Sequence, residues 1–181
     1  MGILNIEIKA RSKDHTGIRG KLKAENADFK GTDHQIDTYF RVKNGRLKLR
    51  EGNIENSLIH YQRENKKGPK QSNVILYNSK PGSSLKGLLT AALGVLTVVD
   101  KTREIYYIGN VKFHLDTVEG LGTFVEIEAI DKDGTIGRDQ LLKQCDHYLQ
   151  LFGISGKDLI SNSYSDMMLS GESIDTEDKS V

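Results

Sequence analysis

Apolar and polar residues alternate along much of the chain, most regularly over Val98–Ala129. Phe113, Leu115, Val125 and Ile127 are apolar members of this pattern, which turns containing glycine interrupt twice. Alternation with a period of two residues, bounded by turns, predicts three β-strands with one apolar and one charged face. The charged positions are Lys101, Arg103, Lys112, His114, Asp116, Glu126 and Glu128.

The same period recurs in earlier segments and predicts four more strands. Asn44-Gly45 separates two of them and is typical of a tight β-hairpin turn. The predicted strands are Leu4–Ala10, Gln35–Val42, Gly45–Glu51 and Ser57–Arg63. Their polar positions again carry charge, at Glu7, Lys9, Arg46, Lys48, Arg50 and Arg63.

Apolar residues at helical spacing predict three helices that would pack outside the sheet. Asp14 is expected to cap the first helix and Ser83 or Ser84 the second, which would end at Gly94. The predicted helices are Asp14–Ala27, Leu85–Leu93 and Asp139–Phe152, with one or two short helical turns in Ser155–Leu169.

Two segments lack both patterns. Glu64–Lys80 is polar and rich in Lys, Gly, Asn and Ser, which predicts a long loop with a short strand at Val74–Tyr77. Gly171–Val181 is acidic and has no apolar stripe, so we predict a disordered tail after a single domain of residues 1–170.

The order of these elements indicates an α+β fold. Strands outnumber helices, and short turns join most of the strands into hairpins. This arrangement favours an antiparallel sheet that curls or closes, with the helices outside.

Net charge and cysteine count limit the kinds of ligand and the cellular compartment that the sequence favours. The chain has 181 residues, a net charge of +1 and one cysteine, Cys145. A charge this close to zero gives no global signature for binding nucleic acid or a membrane surface, so any electrostatic function must arise locally. The single cysteine excludes a disulfide framework and a zinc finger and favours a reducing cytoplasm. No apolar run reaches the ~20 residues of a membrane-spanning helix.

The charged strand faces allow two interpretations. One is an antiparallel sheet with a face in water and cross-strand ion pairs. The other is a closed sheet whose charged side chains line a lumen, where facing Lys and Arg side chains would repel unless an anion neutralised them. A triphosphate suits such a column of basic groups, and the clustered carboxylates suit Mg²⁺ or Mn²⁺. Alternation alone leaves both interpretations open.

Several motifs within residues 3–155 resemble the CYTH superfamily of triphosphate-tunnel proteins, which takes in class IV adenylate cyclases and thiamine triphosphatases. The last two motifs resemble the class IV cyclase-like branch most closely. In chain order the motifs are NIEIKA, DTYF with GRLKLRE, LIHYQR, KTREIYYIG and KFHLDTVEGLGTFVEIEA.

The resemblance implies a closed eight-stranded antiparallel β-barrel that binds a triphosphate, such as ATP, together with Mg²⁺ or Mn²⁺. The implied metal ligands are Glu7, Asp116, Glu126 and Glu128. The implied triphosphate-binding residues are Lys9, Lys48, Arg50, Arg63, Lys101, Arg103, Lys112 and His114. Lys9, Arg103 and Asp116 are the implied catalytic residues.

The chain departs from the superfamily's Glu-x-Glu-x-Lys signature at its first residue, which is Asn5 here. This change removes a negative charge and lowers the expected metal affinity. The leading hypothesis is an adenylate cyclase-like enzyme that makes cyclic AMP and pyrophosphate from ATP. The alternatives are a triphosphatase acting on thiamine triphosphate, a nucleoside triphosphate or tripolyphosphate, and a binding protein without turnover. Glu64–Lys80 would then cover a tunnel mouth or contact a second copy in a homodimer.

Overall fold

A closed β-barrel is the centre of the structure, a computed structural model that describes residues 3–171. Its strands pair antiparallel in the spatial order β1-β5-β4-β3-β2-β6-β7-β8. The charged strand faces therefore surround a lumen, and the interpretation as a sheet face in water is wrong. The strands are β1 Ile3–Arg11, β2 Asp28–Phe40, β3 Arg46–Gly52, β4 Ser57–Arg63, β5 Lys70–Asn78, β6 Val95–Ile108, β7 Val111–Val118 and β8 Gly122–Asp131.

Helices pack against the outside of the barrel, as predicted. Asp14 caps the first helix by accepting a hydrogen bond from the Gly17 amide at 2.7 Å. Among residues 3–171, no helix has the length and apolar character needed to cross a membrane. The α-helices are α1 His15–Ala24, α2 Leu85–Leu93, α3 Arg138–Phe152 and α4 Tyr164–Ser170, and a short 3-10 helix covers Gly156–Asp158.

The main hydrophobic core lies between the outer face of β1, β7 and β8 and the helices α1 and α3. Phe113 packs edge-on against Tyr148 and Phe152, with ring centroids 4.7 and 5.6 Å apart. Burial of each such side chain contributes about 1.5–3 kcal/mol. Because successive strand residues point to opposite faces, burying Ile6 and Ile8 in this core directs Glu7 and Lys9 into the lumen.

The loop predicted over Glu64–Lys80 is the clearest error, although the short strand expected at Val74–Tyr77 lies within β5. Nine of its residues form β5, which pairs with β1 through Ile3 and Val74 and with β4 through Tyr61 and Val74. Two neighbouring strands satisfy the backbone groups of β5, and this pairing outweighs the weak strand propensity of Lys, Gln, Ser and Asn. The segment is a wall of the barrel, so it does not cover a mouth as expected.

Two smaller predictions also need correction. β2 begins at Asp28 instead of Gln35, because a register shift between Phe29 and Gly31 lets this polar stretch continue along β6. Ser84 occupies the N-cap position of α2, but its side chain makes no capping hydrogen bond there. The predicted acidic tail lies outside the described residues, apart from Gly171, which ends α4.

Candidate active site

The lumen forms a cavity of about 610 Å³. Every predicted site residue except Asp116 lines it. Seven lining basic side chains, which we call the cation cradle, come from five strands: Lys9, Lys48, Arg50, Arg63, Lys101, Arg103 and Lys112. The other predicted residues on the lining are Glu7, His114, Glu126 and Glu128.

Asp37 on β2 holds three members of the cation cradle together. Its carboxylate accepts hydrogen bonds from Arg50 Nε and Nη2 at 2.9 and 3.0 Å. Lys48 Nζ and Lys101 Nζ lie 2.8 and 2.7 Å from Asp37 Oδ2. Burial alone would raise the pKa of Asp37, but the charges of Arg50, Lys101 and Lys48 hold it well below its ordinary value. Asp37 was not predicted as a site residue from the sequence, although it lies on the same strand face as Tyr39.

The geometry of Arg103 is fixed from behind by Asp116. Arg103 Nε donates to Asp116 Oδ1 at 2.7 Å, and Nη2 donates to Oδ2 at 2.6 Å. Tyr164 on α4 donates to the same carboxylate at 2.7 Å. Asp116 is fully buried beneath these groups, away from the cavity lining. This position suits a residue that orients Arg103 and does not suit the implied contact with a metal.

On the opposite wall of the lumen, Glu126 contacts three other side chains. It pairs with Lys9 Nζ at 2.9 Å, with Arg103 Nη2 at 3.1 Å and with His114 Nδ1 at 3.0 Å. Burial, reinforced by the charge of Arg103, lowers the pKa of His114 to about 3, so the imidazole is neutral. An ionised carboxylate can only accept hydrogen bonds, so Nδ1 carries the proton and Nε2 presents a lone pair.

Three buried polar atoms on the cavity lining have no hydrogen-bond partner within residues 3–171. They are Asn5 Oδ1, Arg63 Nε and His114 Nε2. Buried polar groups are nearly always paired, so unpaired atoms facing one cavity indicate that a ligand completes them. The Arg63 donor suits a phosphate oxygen, whereas the Asn5 oxygen suits a donor or a cation.

The acidic side chains of the lumen are of the chemical type that binds a hard divalent cation, but they do not surround a common point. In the described part of the chain, no three acidic, imidazole or thiol groups are arranged to hold a metal ion. Glu7 pairs with Arg63 instead, while Glu128 lies opposite it on β8 and accepts from Asn5 Nδ2. Burial raises the pKa of Glu128, as does the charge of Glu126. Oxygen ligands of this kind are those that Mg²⁺ and Mn²⁺ prefer.

The two ends of the cavity differ. Where β1 finishes, the buried rings of Tyr39, Tyr61 and Tyr164 line it, and Lys9 Nζ lies 3.5 Å above the centre of the Tyr164 ring. Where β1 begins, the lining includes aliphatic side chains that are about half exposed, with Ile54 at 45% and Leu76 at 48%. The exposed end is therefore the entrance on the side of Glu7 and Glu128.

A further acid at this entrance, Glu55, was also missed from the sequence. It lies in the loop between β3 and β4 and contacts both Arg50 and Lys112. Burial would raise its pKa, but the charges of Arg50 and Lys112 lower it overall. No strand pattern could reveal Glu55, because it projects into the lumen from a turn.

Comparison with known proteins places this geometry in a family. A search of curated proteins finds no match. Among solved structures, PH1012 from Pyrococcus horikoshii is 25% identical, with a TM-score of 0.73 over 90% of this chain and 98% of that one. A candidate adenylate cyclase from Vibrio parahaemolyticus is 22% identical, with a TM-score of 0.73 over 93% and 99%.

A candidate adenylyl cyclase from Hippeastrum, in which a triphosphatase activity is dominant, is 15% identical, with a TM-score of 0.62 over 97% of this chain and 99% of that one. The family model described as the CYTH domain matches residues 4–164, which include every residue of the cation cradle. With its closed eight-stranded barrel and charged lumen, the chain belongs to the CYTH domain family and has the triphosphate-tunnel fold.

Proposed function

We propose that this protein is a metal-dependent enzyme that binds ATP in the lumen and forms cyclic AMP and pyrophosphate. The observation that carries the proposal is the cation cradle, which draws basic side chains from opposite walls into one cavity of about 610 Å³. Buried in a low-dielectric lumen, these charges favour a ligand with several anionic groups in a row. A triphosphate has that form.

The unequal ends of the cavity suggest how ATP would lie. Buried tyrosine rings line one end and half-exposed side chains the other, so the phosphate chain would enter first, from the exposed end. The base and ribose would then remain near Ile54 and Leu76, which are exposed apolar side chains. The α-phosphate would lie toward Glu7 and Glu128, and the β- and γ-phosphates deeper in the cation cradle.

The reaction would be attack of the ribose 3′-oxygen on the α-phosphorus, with cleavage of the bond to the bridging α–β oxygen. His114 Nε2 is the buried acceptor available for the hydroxyl proton, and a bound polyanion would raise its pKa from the value of about 3. Arg103, held in place by Asp116, and Lys9 would stabilise the charge on the departing pyrophosphate.

A divalent cation would be held by Glu7, Glu126 and Glu128, with Asn5 Oδ1 as a neutral ligand. When bound, Mg²⁺ or Mn²⁺ would supply positive charge to the phosphate oxygens. The unpartnered, buried Asn5 oxygen supports this assignment. Because Asn5 replaces a glutamate, this chain has one carboxylate fewer than the family signature.

A triphosphatase is the second candidate, and the neutral Asn5 favours it over cyclisation. Loss of a ligand charge weakens the metal site at the α-phosphate end of the cavity. Hydrolysis of the terminal phosphate, deeper in the cation cradle, depends less on that end. The Hippeastrum protein, in which a triphosphatase activity is dominant, shares this fold.

Product analysis tests both candidates. The protein is incubated with ATP and Mg²⁺ or Mn²⁺, and cyclic AMP, pyrophosphate and phosphate are quantified by chromatography. Cyclic AMP with equimolar pyrophosphate is the expected result, phosphate alone identifies the triphosphatase, and binding without product identifies a non-catalytic protein. Glu126→Gln should reduce turnover roughly 10–100-fold. Glu119→Gln, at the exposed β7–β8 turn, is the control and should retain full activity.

A further inference from the structure

Glu55 occupies the place of an anion inside the cation cradle. Its Oε2 accepts a hydrogen bond from Arg50 Nη1 at 2.9 Å, and its Oε1 pairs with Lys112. Asp37 already holds the Nε edge of Arg50, so Glu55 takes a remaining donor of that guanidinium. A phosphate group that approached Arg50 and Lys112 would meet a carboxylate in its position.

The fold directs Glu55 into the lumen. Asp33, which is fully buried on β2, accepts the backbone amides of Ile54 and Glu55 at 2.9 Å each. Gln35 Nε2 bridges Asp33 Oδ2 at 2.8 Å and Glu55 Oε2 at 3.1 Å. A side chain at Gly52 would bring its Cβ within 2.7 Å of both Asp33 carboxylate oxygens, so a glycine is needed for this close approach.

We propose that Glu55 is an internal competitor for the triphosphate. Without a ligand, its carboxylate neutralises Arg50 and Lys112, and a bound phosphate group takes over those two cations while Glu55 moves aside. This inference rests on the proposed function, because it takes the cation cradle to be the triphosphate site. Glu55 then limits affinity and favours release of an anionic product, since it is tethered beside the cations that the product leaves.

Calorimetric titration with inorganic tripolyphosphate, in chelator and without divalent metal, isolates this effect from any metal ligation by Glu55. Glu55→Gln keeps the length of the side chain and removes its charge. It should lower the dissociation constant roughly tenfold, which corresponds to about 1.4 kcal/mol. Glu51→Gln is the matched control, because Glu51 lies on the same hairpin but pairs outside the barrel with Lys86 at 2.8 Å. Its affinity should equal that of the wild type.

Thermal unfolding gives a second measurement that does not require a well-behaved titration. Glu55→Gln should unfold at a lower temperature than the wild type without ligand, because Arg50 and Lys112 lose their counter-charge. Tripolyphosphate should raise its unfolding temperature more than that of the wild type. Glu55→Ala, which also shortens the side chain, should show the same two shifts.

The outcomes separate this inference from the proposed function. Tripolyphosphate binding by the wild type, with equal or weaker binding by Glu55→Gln and Glu55→Ala, overturns the competitor role and leaves the triphosphate site intact. Absence of binding by the wild type and by both Glu55 variants, in chelator and again with Mg²⁺, overturns both proposals. Tighter binding by both variants, with Glu51→Gln unchanged, supports the competitor role.

Discussion

Several charged side chains in the lumen form ion pairs with residues that lie far away in the sequence. The alternating pattern identified nearly all of the cavity-lining cations and the acids Glu126 and Glu128. It could not identify Asp37, because its role depends on the β2–β3 register that sets it opposite Arg50. It also could not show that Asp116 lies behind Arg103. Residue types follow from the sequence, but their pairing follows from long-range register.

Lys101 provides a prediction at this scale through the pH dependence of stability. Burial lowers its pKa to about 7 from an ordinary 10.5, although Asp37 offsets part of the shift. Between these values the unfolded chain binds a proton that the folded chain has released, so the free energy of unfolding rises with pH. The contribution of Lys101 to this slope approaches ~1.4 kcal/mol per pH unit and vanishes below pH ~7.

Lys101→Met should reduce this slope, which urea denaturation at pH 7, 8 and 9 would measure. Lys23→Met, on the exposed side of α1, should keep the wild-type slope. Equal slopes for Lys101→Met and the wild type would show that Lys101 keeps an ordinary pKa in the folded protein.

Among the elements, α4 illustrates a contact that periodicity cannot predict. A short helical turn was expected near its position, but nothing indicated that Tyr164 would reach Asp116, 48 residues earlier in the chain. The segment before α4 is tied to the barrel at two strands. Ile160 N donates to Lys9 O at 2.9 Å, and Lys70 Nζ donates to Ile160 O and Ser161 O at 2.9 Å each. These contacts place Tyr164 behind the site.

Lys70→Met should loosen this attachment. Burial lowers the pKa of Lys70 to about 7, so at pH 6 the side chain is charged. Hydrogen bonds to a charged group contribute about 1.5–3 kcal/mol, and the two carbonyl groups would lose their donor, so at this pH the free energy of unfolding in urea should fall by about 2 kcal/mol. Turnover should also fall, because Tyr164 helps to hold Asp116 against Arg103. The control is Lys67→Met in the exposed β4–β5 loop. Unchanged stability in Lys70→Met would mean that the segment docks without Lys70.

At the scale of the whole molecule, closure of the barrel depends on β5, which the pattern predicted only in part. The pattern gave seven strands and a short strand at Val74–Tyr77, and the resemblance to the family implied a barrel of eight strands. The first half of β5 was missed because every residue of Lys70–Asn73 is polar, so neither face of the strand shows an apolar alternation there. A polar interior is also why alternation could not distinguish a lumen from a face in water. Closure is a property of all the pairings together.

The central claim is that a triphosphate lies in the lumen among the residues of the cation cradle. The most direct test is a crystal structure of the protein with saturating inorganic tripolyphosphate. We predict continuous density for the anion between Arg50, Arg103 and Lys112, with Glu55 moved away from Arg50. Tripolyphosphate on the outer surface, with the Glu55–Arg50 and Glu55–Lys112 pairs intact and the lumen filled only by water, would contradict the account.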